Sequence, residues 1–151
     1  MAIKKSVIIE AVITTLKTIT TANGYYTDLG SRVYESRTAP FGNDEIPAIN
    51  IRETEDPVEG IEQQGAYGIF DRSLQLEIDV VSNGKIAPSD LREVEADINK
   101  AIGTNLTWGG NATMTYPVAV VSGYSEHDLN KLEKKTIVIR IDYKTIEWSE
   151  T

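Results

Sequence analysis

The fold is decided by the stretch Asp71–Ser82, which reads DRSLQLEIDVVS. Aliphatic residues occupy every second position from Leu74 to Val80, and the residues between them are polar or charged. Strict alternation of this kind predicts a half-buried β-strand, with one face on the core and the other in solvent. Asn83-Gly84 follows directly and predicts a turn at the end of the strand.

Amphipathic helices are predicted on both sides of this strand in the chain. From Ser6 to about Ala22, apolar residues recur at three- and four-residue spacing, and Asn23-Gly24 suits the end of a helix. A second helix is predicted to begin at Pro88–Asp90 and to end at Gly103, with one apolar side and one charged side.

Further strands are predicted before and after the second helix. They are expected at Arg32–Tyr34, Ala48–Arg52, Thr113–Val121 and Ile137–Tyr143. The polar segment Ser122–Lys131 is expected to connect strands, and the change of parity at Ile146 and Trp148 indicates a bulge or the end of pairing. This order predicts one α+β domain over residues 1–151, with an antiparallel or mixed sheet and both amphipathic helices on one face.

A long acidic loop is expected at about residues 53–70. It contains three glycines and few apolar residues, and its carboxylates are Glu53, Glu55, Asp56, Glu59 and Glu62. A loop of this length inside a compact domain is usually functional or mobile. We therefore regard it as the most unusual feature of the sequence.

Composition excludes several classes of protein. The chain has 151 residues, a formal net charge of -8 and no cysteine. The missing cysteines exclude disulfides, thiol nucleophiles and cysteine-ligated metals, and the acidic balance counts against tight wrapping of nucleic acid. The amino-terminal apolar run is interrupted at Glu10, and no stretch is long enough to span a bilayer, so we expect neither secretion by a signal peptide nor a membrane span.

No catalytic or metal-binding pattern stands out. His127 lies in Ser-Glu-His-Asp at residues 125–128, but neighbours on one loop do not readily place a base between its partners. Glu77 and Asp79 share the polar strand face, where a solvated face is favoured over paired acid and base catalysts. Gly60 and Gly65 have the spacing of a phosphate loop but lack its lysine. The residues therefore favour a binding or structural module without catalytic residues, cofactors or metal.

Taken in order, these segments resemble the tail terminator or tail completion proteins of long-tailed bacteriophages. The resemblance spans roughly residues 6–148 and depends on the joint order of its segments. These segments are Thr21–Gly30 (TANGYYTDLG), Arg32–Tyr34, Ile46–Glu53 (IPAINIRE), the acidic loop, the alternating strand to Val81, the helix start Pro88–Leu91 (PSDL) and Ile141–Thr145 (IDYKT).

The resemblance implies a small α+β subunit that forms a ring with copies of itself, generally a hexamer, at the head-proximal end of the tail tube. Such a ring ends tube polymerisation and offers the surface on which the head docks. Its implied partners are the tail tube protein and a head-neck connector protein, and it is a virion component assembled in the host cytoplasm. Genome DNA passes through the lumen without specific binding, and no cofactor or catalytic residue comes with the family.

Five residues are predicted to contact neighbouring subunits or the tube. They lie in or beside the acidic loop and are Glu55, Glu59, Glu62, Tyr67 and Phe70. For the two aromatic residues, an interface anchor and a cover for the sheet are equally favoured readings. The alternatives for the whole chain are another neck component such as a head-tail adaptor, a tail tube subunit, and a small acidic enzyme. Tube capping, open-ended polymers and an activity screen would distinguish them.

Overall fold

A mixed β-sheet with two helices forms the fold in the computed structural model, which describes residues 3–42, 44–55, 58–59, 69–83, 88–127 and 130–146. The strands are β1 (Val33–Glu35), β2 (Ala48–Glu55), β3 (Val58–Glu59), β4 (Ile69–Asn83), β5 (Met114–His127) and β6 (Asn130–Ile146). Their spatial order is β1-β2-β4-β6-β5, and β3 pairs with the start of β4. β1 runs parallel to β2, while the other pairs are antiparallel. The predicted α+β class with a mixed sheet is confirmed.

The alternating stretch forms β4, near the middle of the sheet. Its aliphatic residues Leu74, Leu76 and Ile78 are fully buried on one face. Ile78 is the register partner of Ile51 in β2 and of Ile137 in β6, so neighbouring strands present apolar side chains to the same side. This cross-strand matching gives the sheet one continuous apolar face.

Both helices cover that apolar face, as predicted. They are α1 (Lys4–Leu16) and α2 (Pro88–Gly103). Their buried residues join the strands in one core, to which the helices contribute Ile8, Ile9, Val12, Leu16, Val94, Ile98, Ala101 and Ile102. Lys5 of α1 pairs with Glu53 of β2, and Glu95 of α2 pairs with Lys135 of β6. The helices therefore lie side by side, with α1 above β1 and β2 and α2 above β6.

The first helix is shorter than predicted. It ends at Leu16, and the chain then forms a separate 3-10 turn at Thr21–Asn23 that closes at Gly24 with φ +86°. The backbone N–H of Gly30 donates to the carbonyl of Ile19 at 2.9 Å, and a Cβ on Gly30 would lie 2.4 Å from the Lys17 carbonyl oxygen. The Ile19 carbonyl therefore accepts from the crossing segment at Gly30 instead of from a further helical turn. The β-branched threonines in this part of the chain have low intrinsic helix propensity, so they do not favour continuation of the helix.

Four strands, β2, β4, β5 and β6, extend further than predicted, and β3 was not predicted. β2 continues through Glu55, β3 occupies Val58–Glu59 and β4 begins at Ile69, so the expected loop at 53–70 contains strand at both ends and near its middle. β5 and β6 together include most of the segment 122–131 that was expected to connect strands. Charged and polar residues form strand there because backbone pairing does not require buried side chains. Of the two alternatives expected at Ile146 and Trp148, a bulge is not found up to Ile146, since β4 and β6 pair continuously from Ile69↔Ile146 to Asn83↔Leu132. Among the described residues β6 ends at Ile146, and Trp148 lies outside them.

The connection from α2 to β5 is anchored by a buried tryptophan. Trp108 is 1% exposed, and its indole N–H donates to the Thr115 hydroxyl at 2.8 Å. That hydroxyl donates in turn to the Leu106 carbonyl at 2.7 Å, so the polar groups beside the ring are satisfied. The contact holds this turn-rich connection against the start of β5.

Candidate interaction surfaces

The polar face of the sheet contains an arginine that bridges two carboxylates. Arg52 Nε donates to Asp79 at 2.7 Å, and its terminal nitrogen donates to Glu77. Asp79, only 3% exposed, also accepts from the Thr136 hydroxyl at 2.7 Å and lies 3.3 Å from Lys134 Nζ. The hydrogen bond that Arg52 donates to Asp79 is the main cause that raises the pKa of Arg52.

This arrangement corrects the expectation of a simply solvated pair of carboxylates at Glu77 and Asp79. Asp79 is buried, and Arg52 forms ion pairs with both carboxylates. The periodicity of the sequence did not predict that Arg52 lies beside them. The two negative charges of these carboxylates are balanced by the guanidinium of Arg52 together with the ammonium of Lys134. The cluster therefore ties β2, β4 and β6 together on the polar side of the sheet.

The connection between β1 and β2 is organised around Arg37. Its guanidinium lies over the rings of Tyr34 and Phe41, at 4.7 and 4.3 Å from their centroids. It donates to both carboxylate oxygens of Glu45, at 2.6 and 3.2 Å, and to the carbonyls of Ala39 and Pro40. The hydrogen bond from Arg37 holds the pKa of Glu45 below its ordinary value. One side chain thus holds this connection in a single shape.

The predicted contact residues are only partly within the described chain. Glu55 is exposed at the end of β2 opposite Gln75, and the backbone of Glu59 pairs with Asp71. Phe70 follows on β4 and is half-buried. Pairing with β4 therefore brings these three residues along the beginning of one strand. Glu62 and Tyr67 lie outside the described residues, as does the side chain of Glu59.

The one histidine lies at the end of β5. Ser125, Glu126 and His127 are consecutive strand residues, and their side chains and Asp128 are outside the described part. Within the described ranges, no group of three His, Asp or Glu side chains is placed to hold a metal ion. Neither described helix is long and apolar enough to cross a membrane.

The free side of β5 is an exposed apolar edge. β5 ends the strand order, and among the described residues it pairs only with β6. Tyr116, Val118, Val120 and Val121 are 41–55% exposed. The register shifts between Pro117 and Ala119, so Val118 is the extra residue of a bulge. Val120 then faces the helix side of the sheet and Val121 the polar side, which spreads apolar surface over both faces.

An open groove of about 550 Å³ lies beside this edge, on the helix side. Its walls come from β5, from the neighbouring part of β6 and from the end of α2, including Val118, Val120, Ile137, Ile139, Ile102 and Leu106. Trp108 supports one wall through Thr115 and Leu106. None of the described residues that line the groove is charged, so it suits aliphatic side chains.

The exposed edge of β5 and most of the residues that line the groove lie in one uncharged stretch of the chain. From Ala101 to Ser125 there is no charged residue, although charged residues make up 25% of the whole sequence. Soluble proteins usually place charges on a free edge strand to prevent pairing with other chains. A proline or a bulge on the edge strand also hinders such pairing, and β5 has both, Pro117 and the bulge at Val118. Sequence analysis missed this surface, although the charge-free stretch was a readable signal.

Comparison with known proteins identifies no family for the chain. No protein-family model matches it, and no curated protein matches it. Among solved structures, it is similar to a chain from the virion of a native gene transfer agent particle, with 12% identity and a TM-score of 0.42. The likeness covers 90% of this chain and 93% of that chain. We draw no conclusion about function from a likeness of this degree.

Proposed function

We propose that the chain is a structural virion protein that forms a ring on the head-proximal end of a phage tail tube. The ring ends tube polymerisation and presents the surface on which the head docks. The role comes from the order of sequence segments that resembles tail terminator proteins. The structural observation that carries it is the uncharged apolar edge of β5, because such a surface suits contact with protein.

The chain's charge suits this role in two ways. A subunit with a net charge of -8 keeps free copies apart in solution until a specific surface joins them. Carboxylates on the inner wall of a ring would also repel passing DNA and prevent it from adhering. The lumen in this proposal is therefore acidic, and DNA passes through it without specific binding.

Tube growth in the presence of the purified chain tests the proposal. The chain is added to polymerising tail tube protein from the same phage, and tube lengths are measured by electron microscopy. A terminator shortens and narrows the length distribution and adds density at one tube end. Unchanged lengths with no bound chain would contradict capping, and chain distributed along the tubes would identify a tube subunit.

The acidic stretch of residues 53–70, which the sequence analysis expected as a loop, is the proposed contact with the tube or with a neighbouring subunit. Replacing Glu55, Glu59 and Glu62 together with glutamine removes three charges while preserving the size of each side chain. We expect weaker capping with unchanged folding, because contacts between charged groups are lost. Unaltered ring assembly and tube length would remove this segment from the proposed contact. Tyr67 and Phe70 are tested separately by substitution with leucine, which keeps apolar bulk and removes the aromatic ring.

A further inference from the structure

We propose that the free edge of β5 and its groove receive an extended segment from a second copy of this chain, which adds one strand to the sheet. This inference rests on the proposed ring and names the partner of the apolar edge. The contact is heterologous, so that each copy offers β5 to one neighbour and a different surface to the other. A ring needs contacts of this kind in order to close.

Charge is the reason for choosing a second copy as the occupant. Two copies that each carry a net charge of -8 repel one another over most approaches. Contact is favourable where neither surface brings further carboxylates together, and the stretch Ala101–Ser125 satisfies this condition. A strongly basic partner would instead be drawn to acidic surface, and nothing in the groove would pair with its charges.

Strand addition fits the backbone of β5. An end strand presents N–H and C=O groups on its outer side, and an incoming extended segment satisfies them by main-chain hydrogen bonds. Pro117 has no N–H to offer, so the part of β5 available for continuous pairing begins at Val118. Residues 118–123 span about 20 Å, which is the length of an ordinary strand.

The groove explains how such a contact would select its segment. Side chains of an added strand alternate between the two faces, so every second one points to the helix side, where the groove lies. There they would contact Val120, Ile102 and Ile139. The remaining side chains would lie on the polar face beside Val121 and Tyr116. On the polar face the Arg140 guanidinium lies over the Tyr116 ring, 4.7 Å from its centroid. A segment that places aliphatic side chains on the helix side and polar ones on the other face therefore fits this surface.

The test compares self-association of the full chain with that of three variants by sedimentation velocity over a concentration series. Val120→Glu and Val121→Lys each place a charge on the proposed contact, one on either face of β5. Thr14→Glu is the matched control, because it adds a negative charge at an exposed position of α1, which lies at the β1 end of the sheet, opposite to β5. Circular dichroism and thermal melting verify that each variant is folded.

We expect both β5 variants to weaken association about tenfold or more, while Thr14→Glu leaves it within about twofold of the unaltered chain. Val121→Lys distinguishes a specific contact at β5 from repulsion between the net charges of two copies. The lysine reduces the net negative charge, which alone would strengthen association, whereas a charge placed in the contact should weaken it. Hydrogen exchange supplies a second readout. The amides of residues 118–123 should exchange at least about tenfold more slowly in the assembled chain than in Val120→Glu.

Several results would overturn the inference. Association that follows net charge alone, with Val121→Lys strengthening it, would attribute assembly to general repulsion. Rings that form normally from both β5 variants would move the subunit contact elsewhere and leave the proposed function standing. A symmetric dimer that grows no further would replace the heterologous contact by β5 pairing with itself. An unaltered chain that stays monomeric would refute the contact, and tube capping would then decide the proposed function independently.

Discussion

Replacing Asp97 with alanine should destabilise the fold strongly, although the residue does not line the groove beside β5. Asp97 is on α2 and is only 1% exposed. One carboxylate oxygen accepts from the Tyr26 N–H at 2.9 Å, and the other accepts from the N–H and the hydroxyl of Thr27, at 2.9 and 2.7 Å. Three hydrogen bonds to one carboxylate therefore fasten the connection between α1 and β1 to the second helix.

The magnitude follows from the number of bonds and from their surroundings. A hydrogen bond to a charged group contributes about 1.5–3 kcal/mol to the free energy of unfolding. The sum over three such bonds overestimates the loss, because the donors are not all buried. Tyr26 is 68% exposed, and water can replace part of what the carboxylate supplies to its N–H. We therefore expect Asp97→Ala to lower the free energy of unfolding by about 3 kcal/mol. For a domain of this size that corresponds to a Tm lower by about 6–12 °C.

Urea and thermal unfolding monitored by circular dichroism measure this loss. Glu93→Ala is the control, because it removes one carboxylate from an exposed position of the same helix and should change stability by less than about 0.5 kcal/mol. Asp97→Asn keeps one acceptor oxygen and should lose about 1–2 kcal/mol. A double-mutant cycle with Thr27→Val should show coupling. Equal stability of Asp97→Ala and Glu93→Ala would refute the reasoning.

Three further predictions concern other contacts in the fold. Gly30→Ala should cost about 1–3 kcal/mol in urea unfolding, because its Cβ would lie 2.4 Å from the Lys17 carbonyl oxygen; unchanged stability would contradict so close an approach. Arg52→Ala should cost about 1–3 kcal/mol by leaving the buried Asp79 with fewer partners, and Arg52→Lys should restore only part, because an ammonium does not reproduce the two-carboxylate bridge; full rescue by lysine would refute it. The pKa of Glu45 is lowered in the folded chain, so its ion pair with Arg37 contributes its full stability above the ordinary glutamate value of 4.5 and loses it as pH falls through the folded value. Over that pH range the protection of residues 37–42 against hydrogen exchange, relative to the intrinsic exchange rate, should fall in the unaltered chain. Glu45→Gln should show no such change.

The sequence predicted those features of the fold that depend on local periodicity. The alternation from Leu74 to Val80 identified the central strand, and α2 begins and ends where Pro88 and Gly103 indicated. The first helix was overestimated because its apolar spacing continues to Ile19, which is indeed buried but lies beyond the helix end. Periodicity reports which side chains are buried, and it does not show where a crossing segment such as the one at Gly30 packs closely against the backbone after Leu16.

Contacts between distant segments could not be read in the same way. Arg52 and Asp79 are 27 residues apart in sequence, and only the register of β2 against β4 brings them together. The groove depends on the packing of α2 and Trp108 beside β5, and no local pattern encodes it. The charge-free stretch Ala101–Ser125 was visible in the sequence, but its meaning required knowing that β5 is an end strand.

Native mass spectrometry of the purified chain over a concentration series, with negative-stain images of the same sample, tests the proposed ring most directly. The ring predicts one discrete closed oligomer, expected to be a hexamer, with a central hole in the images. Open-ended polymers without a fixed size, or a monomer at every concentration that also leaves tail tubes uncapped, would contradict it.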